Sequence, residues 1–357
     1  MDKRLLNVIK FLGFLSIGLV ILYLVYQRQA SAYLEQCISD GGTEASCSLV
    51  DKVLSDFASA NFFWIFMTML AFIVSNISRA IRWNMLLNQL GYQPRLINSF
   101  LTISLGYFAN LGIPRMGEFV RAGSLARYEK IPVEQVMGTV VVDRIIDVIC
   151  ILIMTALAVA LAFSRLNTLY QENADFGDKL ASLQAILLPM VIVGLVGLVL
   201  LLVFRKKLLA TKLGQRVENI LSGFVDGIKT VGSLSSPGLF LMHTGIIWLM
   251  YFLITYFCFF SFAPTASLSP VAGLVTFVAG GWGIVVPSPG GMGSYHFLTG
   301  EALKLYGVGA GNAFSWSNIA FFTVTIGVSV LVGLVALLLL PRLNQDYNPE
   351  VQQKVEG

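Results

Sequence analysis

The chain alternates between long apolar runs and short polar stretches that carry most of its charge. Apolar runs of this length predict helices that cross a membrane, because about 20 residues at a rise of 1.5 Å span the hydrocarbon core. No water reaches the backbone there, so each segment must satisfy its own hydrogen bonds as a helix. Spanning helices are predicted at Val8–Tyr26, Asn61–Ala80, Val133–Phe163, Leu183–Phe204, Gly238–Phe260 and Ala313–Leu340.

Two further apolar segments are interrupted by glycine and proline, which loosen the backbone and remove a hydrogen-bond donor. Asn98–Leu111 is too short to span, has basic residues on both sides and ends at Gly112-Ile113-Pro114. These features predict a re-entrant hairpin that enters from the cytoplasm. Pro270–Val286 is followed by the break Pro287–Gly293 and by the shorter segment Ser294–Tyr306. If the C-terminal tail is cytoplasmic, this second hairpin must start and finish outside.

Charges in the loops predict the orientation of these segments, because Lys and Arg are enriched on the cytoplasmic side. The acid-rich loop Gln27–Ala60 is predicted to lie outside. Cytoplasmic ends are marked by Arg79, Arg82, Arg95 and the run Arg205–Lys207. The halves 1–163 and 183–340 then surround hairpins of opposite entry, as in an inverted repeat, although no direct sequence repeat is visible between them. Broken segments at corresponding positions in two halves point to a transporter binding site.

Two segments each allow two interpretations. The N-terminal run ends in Ala30-Ser31-Ala32, which fits a signal-peptide cleavage pattern, but its near-full spanning length favours a first transmembrane helix. Segment Lys212–Leu234 has apolar residues at helical spacing and basic residues among its polar positions. This pattern predicts either an amphipathic helix on the inner membrane surface or a cytoplasmic helix packed on the bundle.

Composition agrees with a membrane protein, since 56% of the residues are hydrophobic and only 12% are charged. A soluble domain has about 25% charged residues, so no soluble catalytic domain is expected. The predicted fold class is all-α, a polytopic integral membrane helical bundle with two broken-helix hairpins. We expect one transmembrane domain, 1–342, and a polar cytoplasmic tail, 343–357. The net charge of +4 is attributed to orientation, and no nucleic-acid partner is expected.

Four cysteines occur in two different settings. Cys37 and Cys47 flank a short polar loop, and a disulfide between them is predicted if that loop lies outside the cytoplasm. Cys150 and Cys258 lie inside apolar runs and are expected to be packing residues. No histidine lies near Cys37 and Cys47, so a zinc site is not indicated, and no metal or cofactor is predicted.

The first group of candidate site residues follows the break in the first hairpin: Asn110, Pro114, Arg115, Glu118 and Arg121. Pro114 suits the first turn of a new helix, whose free N–H groups and positive dipole end would point toward the break. Arg115 adds a planar donor fork that matches a pair of phosphate oxygens. The alternative is a loop whose charges only fix orientation, but charges at a helix break within a membrane are usually functional.

The second group, Asp143, Arg144 and Asp147, begins an otherwise apolar span. Asp143 and Asp147 share a helix face, and Arg144 can pair with Asp147 at three-residue spacing. Structural pairing with Arg115 or Arg121 and direct contact with a substrate are both open.

The third group surrounds the second break and consists of Gly290, Gly291, Gly293, Tyr295 and His296. The glycines permit close backbone approach and unusual dihedral angles. Tyr295 and His296 supply polar groups at the start of the following helix. A structural hydrogen bond is the favoured role for His296, with proton transfer as the alternative.

These motifs together resemble the lysylphosphatidylglycerol synthase transmembrane family, whose members are also called flippase-like membrane proteins. The family pattern around the first break is matched by Gly106, Asn110, Pro114, Arg115, Gly117, Glu118 and Arg121. The acidic pattern that follows is matched by Asp143, Arg144 and Asp147, with Asp143 where many members have Glu. The glycine-rich second break is also similar, and the resemblance extends from Ala60 over nearly the whole remaining chain.

The resemblance implies transfer of a lipid between membrane leaflets, with an anionic or aminoacylated phospholipid or a polyprenyl-linked lipid as substrate. The bifunctional members add a soluble aminoacyl-transfer domain, whereas this chain ends soon after Arg342, so lipid synthesis is not expected. The expected setting is the bacterial inner membrane, with a phospholipid or glycolipid as partner and a lipid-synthesising enzyme as a candidate protein partner. The alternatives are a membrane-embedded enzyme and an accessory subunit of envelope-lipid assembly.

Overall fold

The computed structural model is all-α over the residues that it describes, which confirms the predicted fold class. These residues are 16, 19–20, 22–24, 26–27, 29–35, 37–39, 42–43, 46–113, 115–172, 232–286, 288–347 and 349, with backbone only for 164–172 and 289. Four of the described helices are long and apolar enough to cross a membrane: Phe62–Gln89, Val133–Phe163, Pro237–Phe260 and Ala310–Leu343. The predicted helix Leu183–Phe204, the run Arg205–Lys207 and nearly all of Lys212–Leu234 lie outside the described residues.

The helices are numbered here in chain order from Leu49. They are α1 (Leu49–Ala58), α2 (Phe62–Gln89), α3 (Leu96–Gly112), α4 (Met116–Glu129), α5 (Val133–Glu172), α6 (Pro237–Phe260), α7 (Pro270–Val285), α8 (Ser294–Lys304), α9 (Ala310–Ala320) and α10 (Ser329–Leu343). A π-helical segment, Phe321–Val328, joins α9 to α10. The described residues between 16 and 39 are also helical.

Most described residues of the segment Gln27–Ala60 are helical, so the prediction of a loop over this range is wrong. Described residues remain helical beyond Tyr26, and α1 follows with Ser48 as its N-cap, whose Oγ accepts a 3.3 Å hydrogen bond from Asp51 N. Apolar side chains of this segment pack with Phe314 around Leu49, which stabilises helices that the local sequence alone does not favour. A disulfide joins Cys37 to Cys47.

Two predicted helix ends are also wrong, because both helices continue past the last strongly apolar residue. Helix α2 extends to Gln89 and not only to Ala80, since the arginines on its last turns are paired with acids inside the bundle. Helix α5 extends to Glu172 and not only to Phe163. The predicted bounds of α3, α6, α7 and α8 agree with the structure to within about three residues, as do the outer bounds of the segment that contains α9 and α10.

Both broken segments form helical hairpins. Helices α3 and α4 pack against each other across the break at 113–115, and α7 and α8 pack across the break at 286–293. In each pair a glycine permits the close approach. A Cβ on Gly117 would lie 2.4 Å from Gly106 O, and a Cβ on Gly283 would lie 2.7 Å from Tyr295 Cα.

At each end of the bundle, segments that the charge pattern places on the same side of the membrane are in contact. At the predicted cytoplasmic end, Arg95 donates to Leu343 O over 3.2 Å, and Tyr347 donates to Glu129 over 2.7 Å. At the opposite end, Asn61 N donates to Ser261 O over 2.8 Å, so α2 and α6 run antiparallel. The base of hairpin α3–α4 therefore lies with the tail that follows α10.

The chain divides into two compact units, 1–158 with 234–357 and 159–233. Everything below concerns the first unit. Most of the second unit lies outside the described residues, so the proposed halves 1–163 and 183–340 remain a prediction.

Candidate functional site

A cluster of buried charges lies inside the bundle, and we call it the arginine–aspartate node. It consists of Arg79 and Arg82 on α2, Arg121 on α4, and Asp143 and Asp147 on α5. Arg79 Nη1 lies 2.8 Å from Asp143 Oδ2 and 2.9 Å from Asp147 Oδ2. Arg82 Nη2 bonds Asp143 and lies 2.8 Å from Asp147 Oδ1. Two arginines one helical turn apart thus hold two aspartates one turn apart.

Asp143 is the centre of the node. Its side chain is fully buried, and Arg121 Nη2 adds a third guanidinium contact to it at 3.1 Å. Both carboxylate oxygens are therefore occupied by arginine donors from two other helices. The sequence left structural pairing and substrate contact open for Asp143, and this geometry favours structural pairing. Of the two arginines that the sequence offered as partners, Arg121 contacts Asp143.

Polar side chains extend the node toward α3 and α6. Arg79 Nη2 donates to Tyr251 Oη over 3.1 Å, and Tyr251 Oη lies 2.9 Å from Tyr107 Oη on α3. Arg82 Nη1 donates to Thr244 over 3.3 Å, and the guanidinium of Arg121 lies 4.9 Å from the Trp83 ring centre. The node therefore links α2, α3, α4, α5 and α6 through polar contacts.

A second, more exposed pair lies beside the node. Arg144 Nη2 lies 2.8 Å from Glu118 Oε1, and Arg144 Nη1 lies 3.4 Å from Asp147 Oδ2. The Arg144 side chain is 44% exposed. It shares a face of α5 with Val141 and Val148, which are both exposed, so this charged side chain lies on a surface that is otherwise apolar.

The tips of the two hairpins meet at Arg115. Its Nη2 donates a 3.2 Å hydrogen bond to Val285 O, the last residue of α7. Arg115 has a left-handed backbone with φ 65°, which is uncommon for a residue with a side chain and is found preferentially at functional sites. Pro114, the neighbouring candidate, lies outside the described residues.

Asn110 closes the tip of the first hairpin. Its Oδ1 accepts a 2.7 Å hydrogen bond from Gly117 N in the first turn of α4, which satisfies a backbone donor that no helical carbonyl can reach. The role of Asn110 is thus to join the two helices of the hairpin across the break.

The second tip depends on three glycines with positive φ: Gly290 at 60°, Gly291 at 79° and Gly293 at 86°. A Cβ on Gly290 would lie 2.5 Å from Thr325 in the π-helical segment, and π-helical turns are frequent at functional sites. Gly291 packs on Ile284 of α7 in the same way.

Tyr295 and His296 point into the bundle. The His296 ring is buried, lies 4.7 Å from the Phe321 ring, and its Nδ1 accepts a 3.4 Å hydrogen bond from Gly293 N. Tyr295 packs on Phe321 and against Gly280. Both side chains therefore shape the second hairpin from within, and the role of His296 stays a prediction.

Arg79 and Arg82 belong to the candidate site, and the sequence interpretation did not place them there. Both were assigned only to the cytoplasmic end of α2, yet both are almost completely buried and their guanidinium groups are paired. Their three-residue spacing, matched by the four-residue spacing of Asp143 and Asp147, is a signal for pairing between two helix faces. Sequence alone does not show which face of α2 lies toward α5.

Replacing Gly117 with alanine should disrupt the first hairpin, because the new Cβ would lie 2.4 Å from Gly106 O and 2.6 Å from Asn110. Backbone must then shift, and we expect a loss of about 1–3 kcal/mol in stability, measured as a lower unfolding temperature in detergent. Gly123→Ala on the same helix is the matched control, because nothing lies within 4 Å of its Cβ position. Equal unfolding temperatures for the two variants would contradict this packing.

The fold and the site together define a class of protein: a polytopic α-helical membrane protein in which two broken hairpins meet beside a buried charge cluster. Residues 48–333 match the family described as the lysylphosphatidylglycerol synthase TM region, and the chain belongs to that family. It is 30% identical over 109 residues to the UPF0104 membrane protein MJ1595 of Methanocaldococcus jannaschii, an alignment that covers 30% of this chain and 32% of that protein. No solved structure matches the chain.

Proposed function

We propose that this protein moves a lipid between the two leaflets of a membrane, with an anionic or aminoacylated phospholipid or a polyprenyl-linked lipid as the substrate. The observation that carries the proposal is the contact between the two hairpin tips, in which Arg115 of one tip donates to Val285 O of the other. Broken helices that meet from opposite sides are typical of the substrate site in transporters.

The lengths of the hairpin helices support a meeting point inside the membrane. Helix α3 has 17 residues and helix α7 has 16. At 1.5 Å per residue each is about 25 Å long, less than the roughly 30 Å of the hydrocarbon core. Each tip is therefore expected to end within the core, where irregular backbone is tolerated only if protein or water surrounds it.

The exposed charges beside the tips support a lipid headgroup as the cargo. Arg115 is exposed, and Arg144 lies on the apolar outer face of α5 with Glu118 as its partner. Charged groups on such a face are costly in a membrane and usually mark a substrate path. In this proposal the headgroup phosphate contacts Arg115 and Arg144, Glu118 balances a cationic headgroup, and the acyl or polyprenyl tails stay in the bilayer.

The setting that we propose is the bacterial inner membrane, in association with an enzyme that synthesises the transported lipid. The protein itself is proposed to carry out no covalent chemistry.

Reconstitution of the purified protein into liposomes with fluorescently labelled lipids tests this function. We expect labelled lipid to move between leaflets faster than in protein-free liposomes, and mass spectrometry should show the lipid unchanged. A covalently altered lipid would instead indicate a membrane-embedded enzyme. Unlabelled membrane lipids and their labelled analogues are both tested. If neither is moved between leaflets and neither is chemically altered, the result would indicate an accessory subunit.

A further inference from the structure

The arginine–aspartate node carries one more positive charge than negative charge. Three arginines, Arg79, Arg82 and Arg121, contact two aspartates, Asp143 and Asp147. The neighbouring pair of Arg144 and Glu118 adds one charge of each sign, so the surplus remains. The three arginines are at most 3% exposed. An uncompensated charge at such a position in a membrane protein is strongly unfavourable unless a counter-ion binds.

The same arginines also retain unused hydrogen-bond donors. The Nε of Arg79, of Arg82 and of Arg121 is buried and has no partner among the described residues. A guanidinium group holds five N–H donors in a fixed planar arrangement, and the contacts with the aspartates use the Nη atoms and leave the Nε–H of each arginine unused. Buried donors in folded proteins are usually satisfied by protein, by ordered water or by a bound group, so these three Nε donors are available to an acceptor that binds at the node.

One additional polar side chain lies close to these donors along α2. Asn76 is almost completely buried, and neither its Oδ1 nor its Nδ2 has a partner among the described residues. Asn76 precedes Arg79 and Ala80 by three and four positions, and both of those residues are buried as well. The same face of α2 therefore carries the Asn76 amide about one turn away from the node.

We infer that the node binds one singly charged anionic group with oxygen acceptors, which neutralises the surplus charge and accepts hydrogen bonds from the unused arginine donors. A phosphodiester has this chemistry, as does dihydrogen phosphate. A phospholipid source of the phosphodiester rests on the proposed function and adds a second phosphate position to the one proposed at Arg115 and Arg144, whereas an inorganic source does not depend on that function. A zwitterionic headgroup as a whole would leave the surplus charge uncompensated.

The residue that decides the charge balance is Arg121. Without it, two arginines face two aspartates, and the four Arg–Asp contacts from α2 remain in place. Arg121→Gln is therefore expected to fold with a neutral node that no longer requires an anion. Arg127→Gln is the matched control, because Arg127 is exposed on the same helix and lies outside the node.

The experiment measures binding to the detergent-purified full chain through the shift of its unfolding temperature. The four probes are dihexanoyl phosphatidylglycerol, dihexanoyl phosphatidylcholine, sodium phosphate and sodium chloride, with the salts at equal ionic strength. For the wild type we expect stabilisation by phosphatidylglycerol or by phosphate that exceeds the effect of phosphatidylcholine or chloride. Arg121→Gln should weaken that binding at least about tenfold, since one charged donor and the surplus charge are both removed. Arg127→Gln should bind as the wild type does.

The outcomes separate the sources and the proposals. Stabilisation by phosphatidylglycerol supports a lipid phosphodiester, and stabilisation by phosphate alone supports an inorganic anion and rules out the lipid source. The anion site would be overturned if anionic and zwitterionic lipid stabilised the protein equally and phosphate had no effect. It would also be overturned if Arg121→Gln bound the anion as strongly as the wild type does. Because no transport is measured, a protein that binds the anion but fails in the liposome assay would disprove only the flippase function.

Discussion

Asp143→Asn should destabilise the protein by about 3–5 kcal/mol, the largest effect that we expect from a single substitution outside the packed apolar core. The change removes the carboxylate that three buried guanidinium groups share. Asn has nearly the same volume, so the loss is electrostatic and no cavity is created. Unfolding of the purified variant in detergent, followed by tryptophan fluorescence, measures the effect directly.

Two further variants test whether charge is the cause. Glu134→Gln removes an acid from the exposed first turn of the same helix and should leave stability within about 0.5 kcal/mol of the wild type. Adding Arg121→Gln to Asp143→Asn restores the net charge of the node, so the double variant should be more stable than Asp143→Asn alone. A single variant as stable as the wild type would show that Asp143 does not hold the node together.

The second large effect concerns transport. Arg115→Ala and Glu118→Ala should each abolish leaflet transfer in liposomes while membrane insertion stays intact. Arg115→Ala removes the side chain that joins the two hairpin tips. Among the described residues, Glu118→Ala leaves Arg144 with the 3.4 Å contact to Asp147 as its ion pair. Transfer is measured as the fraction of labelled lipid that becomes accessible to a membrane-impermeant quencher.

Arg115→Lys makes the test more specific. Lysine keeps the charge but lacks the planar donor fork, so partial transfer would indicate a role for charge and full loss a role for the fork. Arg127→Ala serves as the control, because its side chain is exposed near the base of the same hairpin. Wild-type transfer rates in Arg115→Ala and Glu118→Ala at equal protein content would refute the proposed site.

Much of the architecture was predictable because the membrane leaves few choices. Apolar length and the Gly–Pro breaks predicted both hairpins, and the helices observed on either side of each break agree with the prediction. The predicted groups also contained Arg121 and Asp143, which the structure joins, and Glu118 and Arg144, which it pairs. In these cases the signal is local, because a charge within an apolar run requires a partner.

The wrong predictions concern residues whose contacts lie far away in the sequence. Arg79 and Arg82 resemble a basic helix end in sequence, but Asp143 and Asp147 compensate their charge and allow α2 to continue to Gln89. Likewise, helical parts of the polar segment after Tyr26, among the described residues, pack around Leu49 and Phe314.

The sequence by itself determined that this protein is an all-α membrane bundle with two interrupted segments, because water is absent from the hydrocarbon core and unpaired backbone is excluded there. It also placed charged residues at the first interruption. Only the tertiary structure decided that Arg115 of one tip contacts Val285 of the other and that three arginines share two aspartates. The reason is physical: helical periodicity defines the faces of a helix, but packing between helices distant in the chain determines which faces meet.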